Sequence, residues 1–226
     1  MSSIINTTTI VTTQTTLAAH ITKADVIAYL HDKQQMMLLN PLVKSHTALP
    51  PSNSVAFYKS VPTNLKPSST AEIEALIVYS VVEAQAPEEA SGETWRGGWA
   101  KRFIPEEITY EVSQQNTEHG MFSITHAPMG VHSVTTWTVR EEGGRLVLDK
   151  KGEVTSNRML MGFIKTTLQE SYDKLARDFV EALEKSVKGK GQEVEEKKAD
   201  KAEGVTEEIA VETMPPDDSC THTNGS

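Results

Sequence analysis

Two residues of this chain could orient a carbonyl or move a proton inside a folded core. In the stretch 108–113, Ile108, Tyr110 and Val112 alternate with Thr109, Glu111 and Ser113, so Tyr110 is expected on an inner strand face. In the next strand Phe122, Ile124 and His126 share a face. A hairpin turning through 115–119 that keeps both apolar sets together pairs residues of the same parity. Tyr110 is then expected opposite Ile124 or His126, and within reach of the imidazole in either register. A phenol and an imidazole facing a dry cavity suit general acid–base work. The plainer reading of the pair is a core histidine satisfied by the tyrosine hydroxyl.

Other residues with chemical potential are more readily explained structurally. Trp137 alternates with Val131 and Val139 and reads as core or cavity wall. His31-Asp32 could be a polarised imidazole, but an aspartate there answers the open N–H groups of a helix start. Arg96 to Arg102 places basic residues among Trp95 and Trp99, which reads as a solvated loop with packed indoles rather than an anion site. His20, His31, His46, His119, His126, His132 and His222 lack zinc-ligand spacing, and the single Cys220 excludes an internal disulfide or a cysteine-based metal site. Nucleotide loops and the Gly-x-Ser-x-Gly nucleophile motif are missing. No cofactor and no metal are expected.

These residues must be positioned by the elements around them. The main one is a helix from about Met159 to Val187, with Met161, Ile164, Leu168, Tyr172, Leu175, Phe179 and Leu183 on one stripe. Glu170, Asp173, Lys174, Arg177, Asp178, Glu181, Glu184 and Lys185 are placed on the opposite face, and Lys188-Gly189 suits its end. Phe163 falls off the stripe and has no account. Burying about six large apolar side chains at roughly 1.5–3 kcal/mol each makes this helix an organising element.

Upstream, threonine-rich Ile4–Leu17 reads as a long strand. Thr22 and Asp25 form a capping box for a short helix, and Asp32 caps a second over Lys33–Leu39. Two short strands broken at Pro50-Pro51-Ser52-Asn53 are expected between Val43 and Val61, then a loop and a strand Ile73–Val82 that carries Tyr79. Ala86–Gly98 reads as a long loop. Strands follow over 108–113, 121–126, 131–140 and 145–154, the last two joined at Glu141-Glu142-Gly143-Gly144. The result is α+β: an antiparallel sheet gripping a C-terminal helix, with two short helices after the first strand.

Formal net charge is −9 over 226 residues, and five basic and ten acidic residues lie from Val187 onward. Neither part is basic, so no nucleic-acid partner is expected. No apolar run is long enough to cross a bilayer and no signal peptide is seen, so a cytoplasmic protein is expected. A domain over 1–187 and a disordered acidic tail over 188–226 follow from composition. Val205, Ile209 and Met214 in that tail could contact a partner weakly.

The order of elements resembles the START-like helix-grip fold of polyketide cyclases, lipid-transfer domains and the birch-pollen allergen family. Leu30-His31-Asp32, Leu39-Asn40-Pro41-Leu42-Val43, Ala127-Pro128-Met129-Gly130-Val131, Thr136-Trp137-Thr138-Val139 and Met159-Leu160-Met161-Gly162-Phe163 resemble an uncharacterised fungal START-like family, over about Thr8 to Val187. The resemblance carries over no catalytic residues. It implies a cavity between sheet and long helix for a hydrophobic ligand such as a lipid, sterol, polyketide or terpenoid. Tyr79, Tyr110, His126, Trp137, Ile164 and Leu168 are the expected ligand-binding set. A cyclase or isomerase of fungal secondary metabolism would use the same cavity, and a protein-interaction module would use the outer surface or the tail.

Overall fold

The chain begins with strand β1 (Asn6–Thr16), whose β-branched threonines suit a pleated surface. The computed structural model describes residues 6–84 and 107–208, and the side chains of the last helix before 190 except at 163, 166 and 167. Two helices follow, α1 (Lys23–His31) and α2 (Lys33–Leu38). The expected capping box is formed: the Asp25 amide donates to Thr22 Oγ1 at 3.2 Å and the Thr22 amide to Asp25 Oδ2 at 3.1 Å. Asp32 accepts from the Gln35 amide at 3.0 Å and opens α2.

After β2 (Val43–Ala48) the structure departs from the sequence expectation. Pro51–Tyr58 is a helix, α3, rather than a second strand. Proline is tolerated at the first helical position because its missing N–H would have had no partner there. Thr70–Ala75 is a further helix, α4, so the strand expected from Ile73 begins only at Val78. The signal was present as a second capping box, with the Glu72 amide donating to Ser69 Oγ at 3.2 Å and the Ser69 amide to Glu72 Oε2 at 3.1 Å.

Strands β3 (Val78–Ala84), β4 (Glu107–Thr117), β5 (Gly120–Ala127), β6 (Val131–Glu142) and β7 (Arg145–Asn157) follow. With β1 and β2 they form one antiparallel seven-stranded sheet in the order β1-β7-β6-β5-β4-β3-β2. The β6–β7 turn uses Gly143 and Gly144 at φ 59° and 75°, the left-handed pair that a two-residue hairpin requires. The chain is thus α+β, an antiparallel sheet with a long C-terminal helix, α5 (Arg158–Glu208).

Contacts divide the chain into Met1–Glu184 and Lys185–Ser226. Within the second unit, α5 does not stop at Lys188-Gly189 as expected, and the segment expected to be disordered from 188 is helical as far as Glu208. Two glycines cost about 1 kcal/mol each against alanine, but the Lys, Glu, Gln and Ala that follow rank among the better helix formers. The loop Ala86–Gly98, the Arg96–Arg102 cluster, Ile209, Met214 and Cys220 lie outside the described residues, as do the side chains of Phe163 and Val205.

In the first unit the sheet is covered on both faces. On the inner face, α2 places Met37 against Val81 and Val112, α1 sets Tyr29 on Phe179, and α5 sets Phe179 on Trp137. On the outer face, Phe57, Tyr58 and Val61 pack with Val78 and Ile124, joined by Ile73, Leu76, Phe122 and Val134. The expected stripe of α5 is the packed one: Met161, Phe179 and Leu183 are buried, and Ile164, Leu168, Tyr172 and Leu175 half-buried. Asp173, assigned to the solvent face, instead accepts a hydrogen bond from Thr13 Oγ1 at 2.6 Å.

Candidate functional site

The strand register decides which side chains share the inner face. Gln114 pairs with Ser123, Ser123 with Thr135, and Thr135 with Gly152, so these positions form one row across β4, β5, β6 and β7. One step along the strands, Val112, Thr125, Ser133 and Val154 form the next row. One step the other way lie Met121, Trp137 and Lys150. Ser123, Thr125, Ser133 and Thr135 therefore make a block of four hydroxyls, bordered by Val112, Met121, Trp137 and Val154 and, at its two ends, by Gln114 and by Gly152 and Lys150.

The block is not sealed. All four hydroxyl residues are half-buried, whereas Met121, Trp137 and Val154 beside them are buried. Thr135 Oγ1 lies 2.8 Å from Tyr172 Oη of α5. Ser123, Thr125 and Ser133 have no side-chain hydrogen bond among the described residues. Gln114 is 6% exposed, and its Oε1 is buried without a partner among the described residues. Such an acceptor, if unanswered, costs about 1–3 kcal/mol.

The base of this face is set by aromatic packing around a buried amine. Lys150 is 1% exposed and donates to the Tyr172 carbonyl at 3.1 Å. Its Nζ lies 3.9 Å from the centre of the Tyr172 ring and 4.9 Å from that of Trp137. Burial pulls the amine down to about 7, against the opposing attraction of Asp173 and Asp178. The Tyr172 ring rests directly on Gly152, where any Cβ would overlap it. Glycine at 152 is thus what lets the helix seat its tyrosine on the sheet. Burial, the largest cause, raises the Tyr172 phenol, and the Thr135 hydrogen bond opposes it.

Five of the six expected ligand-binding residues belong to this inner face or the helix over it. Tyr79 and Tyr110 pack beside Met37, Val81 and Val112, and Trp137 sits under Phe179 at a centroid separation of 5.2 Å. Ile164 and Leu168 share the Tyr172 stripe by helical spacing. Burial and then the Glu83 carboxylate push the Tyr110 phenol well above its ordinary range.

His126 is the exception, and the expected Tyr110–His126 pair does not form. Thr117 pairs with Gly120, leaving only Glu118 and His119 as the loop, and a two-residue loop pairs residues of opposite parity. His126 therefore lies opposite Glu111, on the outer face, while Tyr110 lies on the inner one. The apolar character of Phe122, Ile124 and His126 answers α3, not the interior. The His126 ring stacks on Phe57 at 4.1 Å and meets His132 edge-on at 4.8 Å. Burial and then the neighbouring His132 lower it to about 4.

The other candidates resolve structurally. His31 Nε2 lies 2.9 Å from the Gly120 carbonyl oxygen and 3.2 Å from that of Thr117, tying α1 to the β4–β5 hairpin. Among the described residues no group of three or more His, Cys, Asp or Glu is arranged to hold a metal ion. Sequence reasoning missed Gln114, Lys150 and the hydroxyl block. Their alternation in 121–125 and 133–137 was readable, but it points inward only once the register is known.

Residues 6–185 match a family described as a domain of unknown function, DUF7053. No curated protein matches the sequence. Among solved structures it is similar to the protein TTHA0849 from Thermus thermophilus, at 9% identity and TM-score 0.49, over 79% of this chain and 99% of that one. It is also similar to Ara h 8.0201, at 9% identity and TM-score 0.42, over 78% and 98%. A third is an uncharacterised protein from Rhizobium leguminosarum, at 8% identity and TM-score 0.42, over 80% and 99%.

Proposed function

We propose that this chain, which belongs to the DUF7053 family of domains of unknown function, binds a small hydrophobic molecule between the inner sheet face and α5. The observation that carries the reading is the half-buried block Ser123, Thr125, Ser133 and Thr135 beneath the helix layer. A largely apolar interior with a few convergent polar groups is the usual composition of a small-molecule site. Tyr79, Tyr110, Trp137, Ile164 and Leu168 supply apolar wall, and a lipid, sterol, polyketide or terpenoid is the class of ligand that such a wall takes. His126 has no part in this site, because it lies on the outer face.

Binding without turnover is favoured over the cyclase or isomerase reading. An acid–base pair must reach the reacting atoms. The amine nearest neutrality, Lys150, is covered by Trp137 and Tyr172. Native mass spectrometry of the protein purified from its own host tests the proposal. A co-purifying hydrophobic molecule is expected, and it should be lost from Thr125→Trp, which fills the space above the block while leaving the melting temperature within a few degrees. A ligand retained by that variant, or an empty protein that leaves only an interaction role for the outer surface, would contradict it.

A further inference from the structure

Gln114, with Ser156 and Thr9 toward the β1 edge, is one of the inner-face side chains with a buried polar atom that has no partner among the described residues. It is the one amide among them and shares a row with the hydroxyl block. Among the described residues its Oε1 is buried with no hydrogen-bond partner and its Nε2 makes no hydrogen bond. A primary amide offers two donors on nitrogen and an acceptor on oxygen, so one side chain presents both roles at one spot. Its terminal torsion is broad, so either atom turns toward the interior at little cost. The cross-strand neighbours in its row, Ser123 and Thr135, are neutral hydroxyl residues. Lys150 lies three strands away and donates to the Tyr172 carbonyl. Among the described residues, a ligand anion would therefore meet no cation in this row, and a carboxylate would bring no proton for Oε1.

Resting on the reading that the inner face holds a hydrophobic ligand, we propose that Gln114 is its polar anchor and that the ligand is a neutral hydrophobe bearing a hydroxyl group. The hydroxyl donates to Oε1 and accepts from Nε2, while Ser123 beside it extends the polar track. A hydrocarbon leaves the amide unsatisfied, and an ether answers only its nitrogen. The cost of leaving the acceptor buried and unmet is what the site uses to discriminate.

Displacement of anilinonaphthalene sulfonate fluorescence by dodecanol and by dodecyl methyl ether separates these cases. On the full chain, dodecanol is expected to displace the dye at a concentration about three- to tenfold lower than its ether, the span that one neutral hydrogen bond supports. In Gln114→Leu and in the more nearly isosteric Gln114→Met the two probes should become equal, with the ether bound at least as well as by the parent. Thermal melting of both variants should be unchanged or raised, because a buried unsatisfied acceptor is removed. Equal displacement by the two probes on the parent chain, or discrimination that survives both substitutions, would overturn the anchor role while leaving the apolar site intact. If neither probe displaces the dye, the site itself fails and the anchor with it.

Discussion

At the scale of single residues, two bases, Lys150 buried on the inner face and His126 half-buried on the outer, each lower stability as pH falls, in different windows. The Lys150 amine titrates at about 7 in the fold against 10.5 ordinarily. Above about pH 10.5 both states are neutral and its burial costs nothing in charge. As pH falls from 10.5 to 7 the unfolded chain takes up the proton first, so stability declines through that window and is flat below it. Lys150→Met is expected to raise stability by about 2 kcal/mol at pH 7, net of the lost bond to the Tyr172 carbonyl, and to flatten the alkaline slope. Urea melts across pH 7 to 10.5 check this; an unchanged slope would show that the amine is hydrated in the fold. His126 is lowered to about 4 from 6.5, so its charge penalty is absent above pH 6.5 and grows as pH falls toward 4. Because the ring is only half-buried, screening holds the effect near 1 kcal/mol. His126→Phe, which keeps the stack on Phe57, should remove that share of the acid slope in urea melts taken from pH 7 down to 4.

Elements are legible where local chemistry decides them. The stripe from Met161 to Leu183, the Thr22–Asp25 box and the Gly143-Gly144 turn all follow from neighbouring residues, and the structure forms each of them. Helices α3 and α4 escape a sequence reading because β-branched and apolar residues in 54–61 and 73–78 suit a strand as well as a buried helix. The second capping box is the signal that decides against the strand. Its omission produces the larger error. Without helices on the outer face, Phe122, Ile124 and His126 have nowhere to go but inward, and the expected register of β4–β5 bends to fit them. A sheet buried on both faces carries no reliable alternation; the two-residue loop Glu118-His119 holds the better signal. The helix face itself is testable. Phe179→Asp should abolish cooperative folding, since Phe179 is fully buried against Tyr29 and Trp137. Glu181→Ala, on the exposed side, should shift stability by less than about 0.5 kcal/mol. Similar urea midpoints for the two would mean that the helix is rotated from the packing described.

For the whole molecule, the sheet, its inner helices and the outer pair form the first unit, Met1–Glu184, and the family match ends at residue 185. We propose that the acidic remainder is dispensable for folding. Deleting residues 191–226 should leave the melting temperature within about two degrees, and a fall of several degrees by calorimetry would show that the remainder stabilises the domain. None of the helices among the described residues is long and apolar enough to cross a membrane. The ligand site proposed is the inner face, not the cluster of Ser60, His126 and His132 on the outer one. The most direct measurement is an amide chemical-shift titration of the assigned full chain with dodecanol. Shifts centred on Gln114, Ser123, Thr125, Ser133 and Thr135 and on the Ile164–Tyr172 turns of α5 are predicted. Shifts centred on Phe57, Ser60, His126 and His132, or none at saturating dodecanol, would contradict it.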